Sequence, residues 1–207
     1  SGHAERRAGL FPMPLHPGRD RAADIHAERR GWERAGTENR RPYTIAVLKG
    51  MLEVSIGSSV TYMIAPLLAK DRRISIDESC GESKTYKNTI EVELETEKGA
   101  VSLLATITEE GRQRIVRVND YWVDFVPSGK LLIFQNHDRP GVIGKIGSVL
   151  GEAGVNIANF ALGRKEGSGL ALGALEIDGE TDDRLRGELV KSGDMVWVTT
   201  VDFTKAG

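Results

Sequence analysis

The chain has 207 residues, a formal net charge of -2, a hydrophobic fraction of 40%, one cysteine and four histidines. That length suits one domain or two small ones, and the near-neutral charge gives no reason to expect nucleic acid or an anionic membrane as a partner. Cys80 alone excludes an internal disulfide. With His3, His16, His26 and His137 it shows no zinc-ligand spacing. No apolar run approaches the roughly 20 residues of a membrane span, and no apolar leader opens the chain, so the reading is a reduced cytoplasmic protein without a metal.

Residues 1–41 carry nine Arg and no Lys, together with the breaker run FPMPLHPG. They read as a loosely attached Arg/Pro-rich arm, with a short helix admissible over Ala22 to Arg34. Residues 42–128 read as an α/β (α+β) domain. Pro42 suits a helix start, and Ile45, Leu48 and Leu52 recur at helical spacing through Thr44 to Glu53. Gly57 to Ser59 interrupts that run. A second apolar segment, Tyr62 to Ala69, is bent or divided by Pro66. Alternating patterns then predict strands at Ile74 and Ile76, at Ile90 to Leu94 and at Val101 to Ile107. A hairpin follows, Ile115 to Val118 with Tyr121 to Phe125, turning at Asn119-Asp120.

Residues 129–207 give the clearest pattern. Lys130 to Phe134 is a strand, and Asp138-Arg139-Pro140-Gly141 turns into a helix. Its apolar stripe is Val142, Ile143, Ile146, Val149, Leu150 and Ala153, with Gly154 as a left-handed stop. Val155 to Gly163 and Leu170 to Ile177 are strands around a Gly167 to Gly169 turn. Asp182 and Asp183 favour the start of a second helix through Leu185 and Leu189, which Gly193 stops. Met195 to Val201 is the last strand. The order βαββαβ is a ferredoxin-like layout, two helices on one face of an antiparallel sheet.

The chemistry concentrates in Asn136-His137-Asp138-Arg139-Pro140-Gly141-Val142. Pro140 presets φ at the helix start, Gly141 permits close backbone approach, and first-turn N–H groups without intrahelical acceptors can hold a carboxylate. Asp138 suits an ammonium. A ligand carrying both charges, an amino acid, satisfies both halves; the duller reading is that Asp138 merely caps the helix. Asn156, at the start of the next strand, is expected to return beside this loop and complete a polar cluster with Asn136 and Asp138. Asn159, on the same strand side, is a weaker candidate. His137 has no triad partner and reads as a surface histidine, and Cys80 as a passive thiol. Gly141, Gly144 and Gly147 lie within a helical stripe, where small residues suit close packing rather than a dinucleotide site. No P-loop, H-E-x-x-H or G-x-S-x-G is present, so no catalytic constellation is expected.

Four stretches, RPYTIAVLKGMLE, APLLAKDRRISIDES, IVRVNDYWVDF and LLIFQNHDRPGVIGKIGSVLGEAGVNIANFALGR, make residues 40–203 resemble the C-terminal regulatory region of D-3-phosphoglycerate dehydrogenases. The last stretch is typical of an ACT domain, and the earlier ones resemble the intervening, allosteric substrate-binding domain of the longer enzymes. The resemblance implies that the full-length enzyme oxidises 3-phosphoglycerate with NAD at the start of serine synthesis. The substrate and nucleotide domains precede this region, so no cofactor is expected here and the chain reads as regulatory, with a catalytic chain as a further partner. It also implies L-serine, or a similar small amino acid, bound at a homodimeric ACT interface by Asn136, Asp138 and Asn156, with the backbone of Arg139, Pro140, Gly141 and Val142 at the helix start. The family often has His or Tyr where Asn136 stands. A second anion site in the intervening domain is implied by Arg114, although Tyr121 and Val126 stand where some relatives have Arg. Two other readings are an accessory small subunit of a serine dehydratase-like enzyme and a ligand-free assembly module.

Overall fold

The computed structural model describes residues 23–30, 41–81, 86, 89–96, 99–191 and 194–205. It divides into two compact units, residues 1–106 and 107–207. The readings made for residues 1–22, for the Cys80 thiol and for Gly193 lie outside what is described.

The first unit opens with a strand, β1 (Ala23–Arg30), where the sequence reading placed an arm with an admissible helix. β1 runs parallel to β2 (Ser75–Gly81) and antiparallel to β3 (Thr89–Thr96), which pairs antiparallel with β4 (Gly99–Ile107). The order β2-β1-β3-β4 makes β1 an interior strand. Pairing on both sides decides its conformation, overriding the local composition.

Helix α1 (Arg41–Ile56) begins at the Arg-Pro step, where the missing N–H of Pro42 costs nothing. Its buried positions are Thr44, Leu48 and Leu52, one every four residues; the hydroxyl of Thr44 donates to the Glu78 carboxylate, which lets a polar group lie inside. In α2 (Ala65–Asp71), Pro66 stands in the first turn, so it starts the helix rather than dividing one. Leu48, Leu52, Val60, Ala65 and Ala69 form this unit's core, with Val92 and Leu94 of β3 packed against it.

The second unit begins with the hairpin β5 (Gln113–Val118) and β6 (Tyr121–Phe125), turning at Asn119, whose φ of 51° suits Asn better than most residues. There follow β7 (Lys130–His137), α3 (Val142–Glu152), β8 (Asn156–Arg164), β9 (Leu170–Asp178), α4 (Asp183–Lys191) and β10 (Met195–Asp202). The sheet order β10-β7-β9-β8, with antiparallel neighbours, is the ferredoxin-like arrangement expected. Gly154 ends α3 with φ 69°, and Asp182 Oδ1 accepts from the Leu185 N–H at 2.8 Å at the start of α4.

The core of this unit joins Leu132 and Phe134 of β7, Leu175 and Ile177 of β9, Val142, Ile146 and Leu150 of α3, and Leu185 and Leu189 of α4. Phe134 lies flat over Gly173, where a β-carbon would sit 2.2 Å from the ring. On the opposite face, Leu131, Ile133, Leu172 and Ala174 are also buried, because the β5–β6 hairpin seats there. Gln135 Nε2 donates to the Tyr121 hydroxyl at 3.0 Å, Lys165 donates to Asp120 at 2.8 Å, and a β-carbon at Gly163 would lie 2.4 Å from the Trp122 carbonyl oxygen.

One expectation fails on α3. The glycines at 144 and 147 make no close packing: β-carbons built there meet nothing within 4 Å among the described residues.

Candidate functional site

The end of β7 delivers two polar side chains to the mouth of α3. Asn136 lies on the strand face shared with Leu132 and Phe134, where it is 2% exposed. Its Nδ2 donates to the His137 carbonyl at 2.7 Å, while its Oδ1 is buried without a hydrogen-bond partner among the described residues. A buried acceptor left unmatched is costly, so it marks a place where a donor belongs. Asp138 is held by its backbone, its N–H donating to the Gly169 carbonyl at 2.9 Å.

Gly141 takes the cap position of α3 with φ 90°, a conformation costly for other residues, and no side chain among the described residues caps the helix. The duller reading of Asp138 as a helix cap therefore does not hold. Its Oδ2 lies 3.0 Å from Arg164 Nε. Asn136, Asp138, Arg139, Pro140, Gly141, Val142, Ile143, Leu162 and Arg164 line one cavity of about 360 Å³, within the small-ligand range of roughly 300–1,000 Å³. It offers acceptors on the β7 side and first-turn N–H groups on the α3 side, where the Val142 N–H already reaches the Arg139 carbonyl at 3.5 Å, with an apolar wall between them.

Arg164 and Leu162 were not singled out from sequence. Their place follows from register: Asn136 is opposite Ala171, and Ala171 is opposite Arg164, so one row across three strands sets Asn136 and Arg164 on either side of a small residue.

Asn156 is not brought to this cavity within one chain. It pairs with Asp178 at the far end of the sheet, and its Nδ2 donates to the Asp178 carboxylate at 3.3 Å. The reason is strand polarity. In a βαβ unit the second strand runs parallel to the first, so its start lies level with the start of β7 and not with its end. Asn159 is exposed on β8, its side chain turned back to the Phe160 N–H at 2.8 Å. His137 is exposed, its N–H donating to the Asp194 carbonyl at 2.8 Å. Arg114 pairs across the hairpin with Asp124, so its cation already has an anion.

Beside the cavity, the buried Asp194 ties the start of β10 to α3. The Lys145 ammonium, 2.7 Å away, hydrogen-bonds its carboxylate and holds it below the usual carboxylate range; burial opposes this, and Arg139 and His137 add to the lowering. Among the described residues, no group of three acidic, His or Cys side chains could hold a metal ion, and no helix is long and apolar enough to cross a membrane.

The cavity thus lies at the first strand-to-helix junction of a ferredoxin-like sheet. An ACT-domain family model matches residues 130–194, and a model of the D-3-phosphoglycerate dehydrogenase intervening domain matches residues 22–119, so β1 falls within the matched region. The chain belongs to the D-3-phosphoglycerate dehydrogenase family, with the intervening and ACT domains of its C-terminal regulatory region. It is 36% identical over 161 residues to the D-3-phosphoglycerate dehydrogenase of Bacillus subtilis, covering 77% of this chain and 31% of that protein. The proteins of the same name from Methanocaldococcus jannaschii (36% over 133 residues, 64% of this chain and 25% of the relative) and Archaeoglobus fulgidus (32% over 170 residues, 81% and 32%) are similar in the same way. The chain thus spans about a third or less of the length of these relatives.

Proposed function

We propose that this region is the amino-acid sensor of a D-3-phosphoglycerate dehydrogenase: it binds L-serine, self-associates through its ACT domain, and thereby governs NAD-dependent oxidation of 3-phosphoglycerate by the whole cytoplasmic enzyme. The observation that carries this reading is the polarity of the β7–α3 cavity. Asp138 and the orphaned Asn136 Oδ1 suit an ammonium, and the first-turn N–H groups of α3 suit a carboxylate. A small amino acid supplies both groups and fits within the cavity.

The second copy completes the site. β8 is an edge strand of its sheet, hydrogen-bonded among the described residues to β9, and such an edge invites a partner. Antiparallel pairing of two β8 strands about a two-fold axis near Phe160 brings Asn156 of one copy level with Arg164 of the other. The residue stranded at the far end of one sheet then stands at its neighbour's cavity.

Light-scattering mass and thermal melting, each with L-serine, D-serine and glycine, test this. A dimer stabilised selectively by L-serine is expected, since ligand at a hundredfold excess over Kd adds about 2.7 kcal/mol. A folded dimer whose melting ignores all three compounds leaves only an assembly module and contradicts the reading.

A further inference from the structure

The cavity's one anion is already occupied by a residue that the amino-acid reading has not used. Arg164 closes β8, and its Nε stands 3.0 Å from Asp138 Oδ2, on the opposite side of Ala171 from Asn136. The pair is open to water, with the Arg164 side chain 69% exposed and that of Asp138 32% exposed. Exposed pairs of this kind hold weakly and are readily exchanged. The guanidinium still has N–H groups to offer beyond the one facing Asp138, in a fork suited to a carboxylate.

We propose that Arg164 is a ligand-binding latch that makes the cavity selective for zwitterions. This rests on the amino-acid reading above and goes further, because it assigns a carboxylate-binding side chain. In the empty cavity, Arg164 covers Asp138. An incoming ammonium takes the Asp138 carboxylate and donates to Asn136 Oδ1, satisfying the buried acceptor. The displaced guanidinium then closes on the ligand's α-carboxylate.

Charge now alternates across the cavity: Asp138, ammonium, carboxylate, Arg164. An amine without a carboxylate displaces Arg164 and leaves two cations side by side. A carboxylic acid without an amine meets Arg164 but brings a second anion toward Asp138. Only a zwitterion matches both groups, while Val142, Ile143 and Leu162 provide the apolar wall.

The test compares L-serine with 2-amino-1,3-propanediol, which keeps the amine and hydroxymethyl group but lacks the carboxylate. Both are titrated calorimetrically into the wild-type chain, Arg164→Gln and Arg164→Lys, with light-scattering mass and melting to verify that each variant is folded and assembled. Loss of a charge-assisted contact should weaken serine binding to Arg164→Gln by about 10- to 100-fold. The amine, freed of its competitor, should bind that variant as well or better, so the preference for serine collapses. Arg164→Lys, which keeps the charge without the fork, should retain part of that preference. Unchanged preference in Arg164→Gln, or equal weakening toward both compounds, overturns the latch while leaving serine sensing intact. A wild-type chain that binds neither compound overturns the sensor reading and the latch together.

Discussion

Gly173→Ala tests the packing that holds the cavity in shape. Gly173 sits in β9 directly opposite Phe134 of β7, two positions from the Ala171–Asn136 pair. A β-carbon there would lie 2.2, 2.6 and 2.7 Å from three atoms of the Phe134 ring. Carbon atoms in contact prefer about 3.5–4.0 Å, so the ring must retreat by more than 1 Å (roughly the difference). It has nowhere to go: Phe134 is fully buried, in a core shared with Leu132, Val142, Ile146, Leu150 and Leu189. Overpacking of this kind costs about 1–3 kcal/mol, and this contact, far inside normal separation, belongs at the upper end. Urea unfolding followed by circular dichroism measures it. The companion variant Phe134→Leu removes the ring and by itself leaves a space. Combined with Gly173→Ala it should recover at least about 1 kcal/mol relative to the sum of the single changes, because residues in contact are not additive. Gly173→Ala at wild-type stability, or a double variant that is strictly additive, would refute the claim that ring and glycine are fitted to one another.

Two further substitutions probe the supports around the site. Tyr121→Phe removes the hydroxyl that accepts from buried Gln135 and leaves an amide N–H without that partner, costing about 1–3 kcal/mol; differential scanning calorimetry should show a fall of about 2–4 °C per kcal/mol, and an unchanged Tm would mean that the hairpin is not held there. Asp194→Asn addresses pH. Because Lys145 depresses the Asp194 carboxyl, the folded state binds its proton less readily than the unfolded chain; the stabilisation is complete above the ordinary value of 3.8 and is lost as pH falls through the lower folded value. The variant should be less stable near neutrality but lose less on acidification, in unfolding curves taken from pH 6 to pH 3, and parallel wild-type and variant curves would contradict this.

What could be read from sequence was local. The start of α3 declares itself within a few residues, through Pro140, Gly141 and the Val142, Ile146, Leu150 stripe, and the second unit's element order follows from such signals. What depended on pairing was not legible. β1 does alternate small or apolar residues with polar ones at Ala23, Ile25 and Ala27, but an Arg-rich setting hid a strand defined by neighbours more than 50 residues away. Arg164 was overlooked because its proximity to Asp138 depends on the register of β9 between β7 and β8. Asn156 is expected beside the loop from the βαβ layout as well as from the family resemblance, yet strand polarity carries it to the opposite end of its own sheet. The same polarity makes it available to a second copy.

Mixing two defective chains tests that division of the site between two copies. Asp138→Ala and Asn156→Ala homodimers should each lose serine binding. Unfolded together and refolded as a mixture, they form hybrid dimers in which one cavity carries both defects and the other carries neither. Calorimetry with L-serine should then recover about one intact site per four chains at wild-type affinity, as random pairing of two chains in a two-fold dimer requires. A refolded mixture that binds no more serine than the separate variants would contradict the claim and place every ligand contact within a single chain.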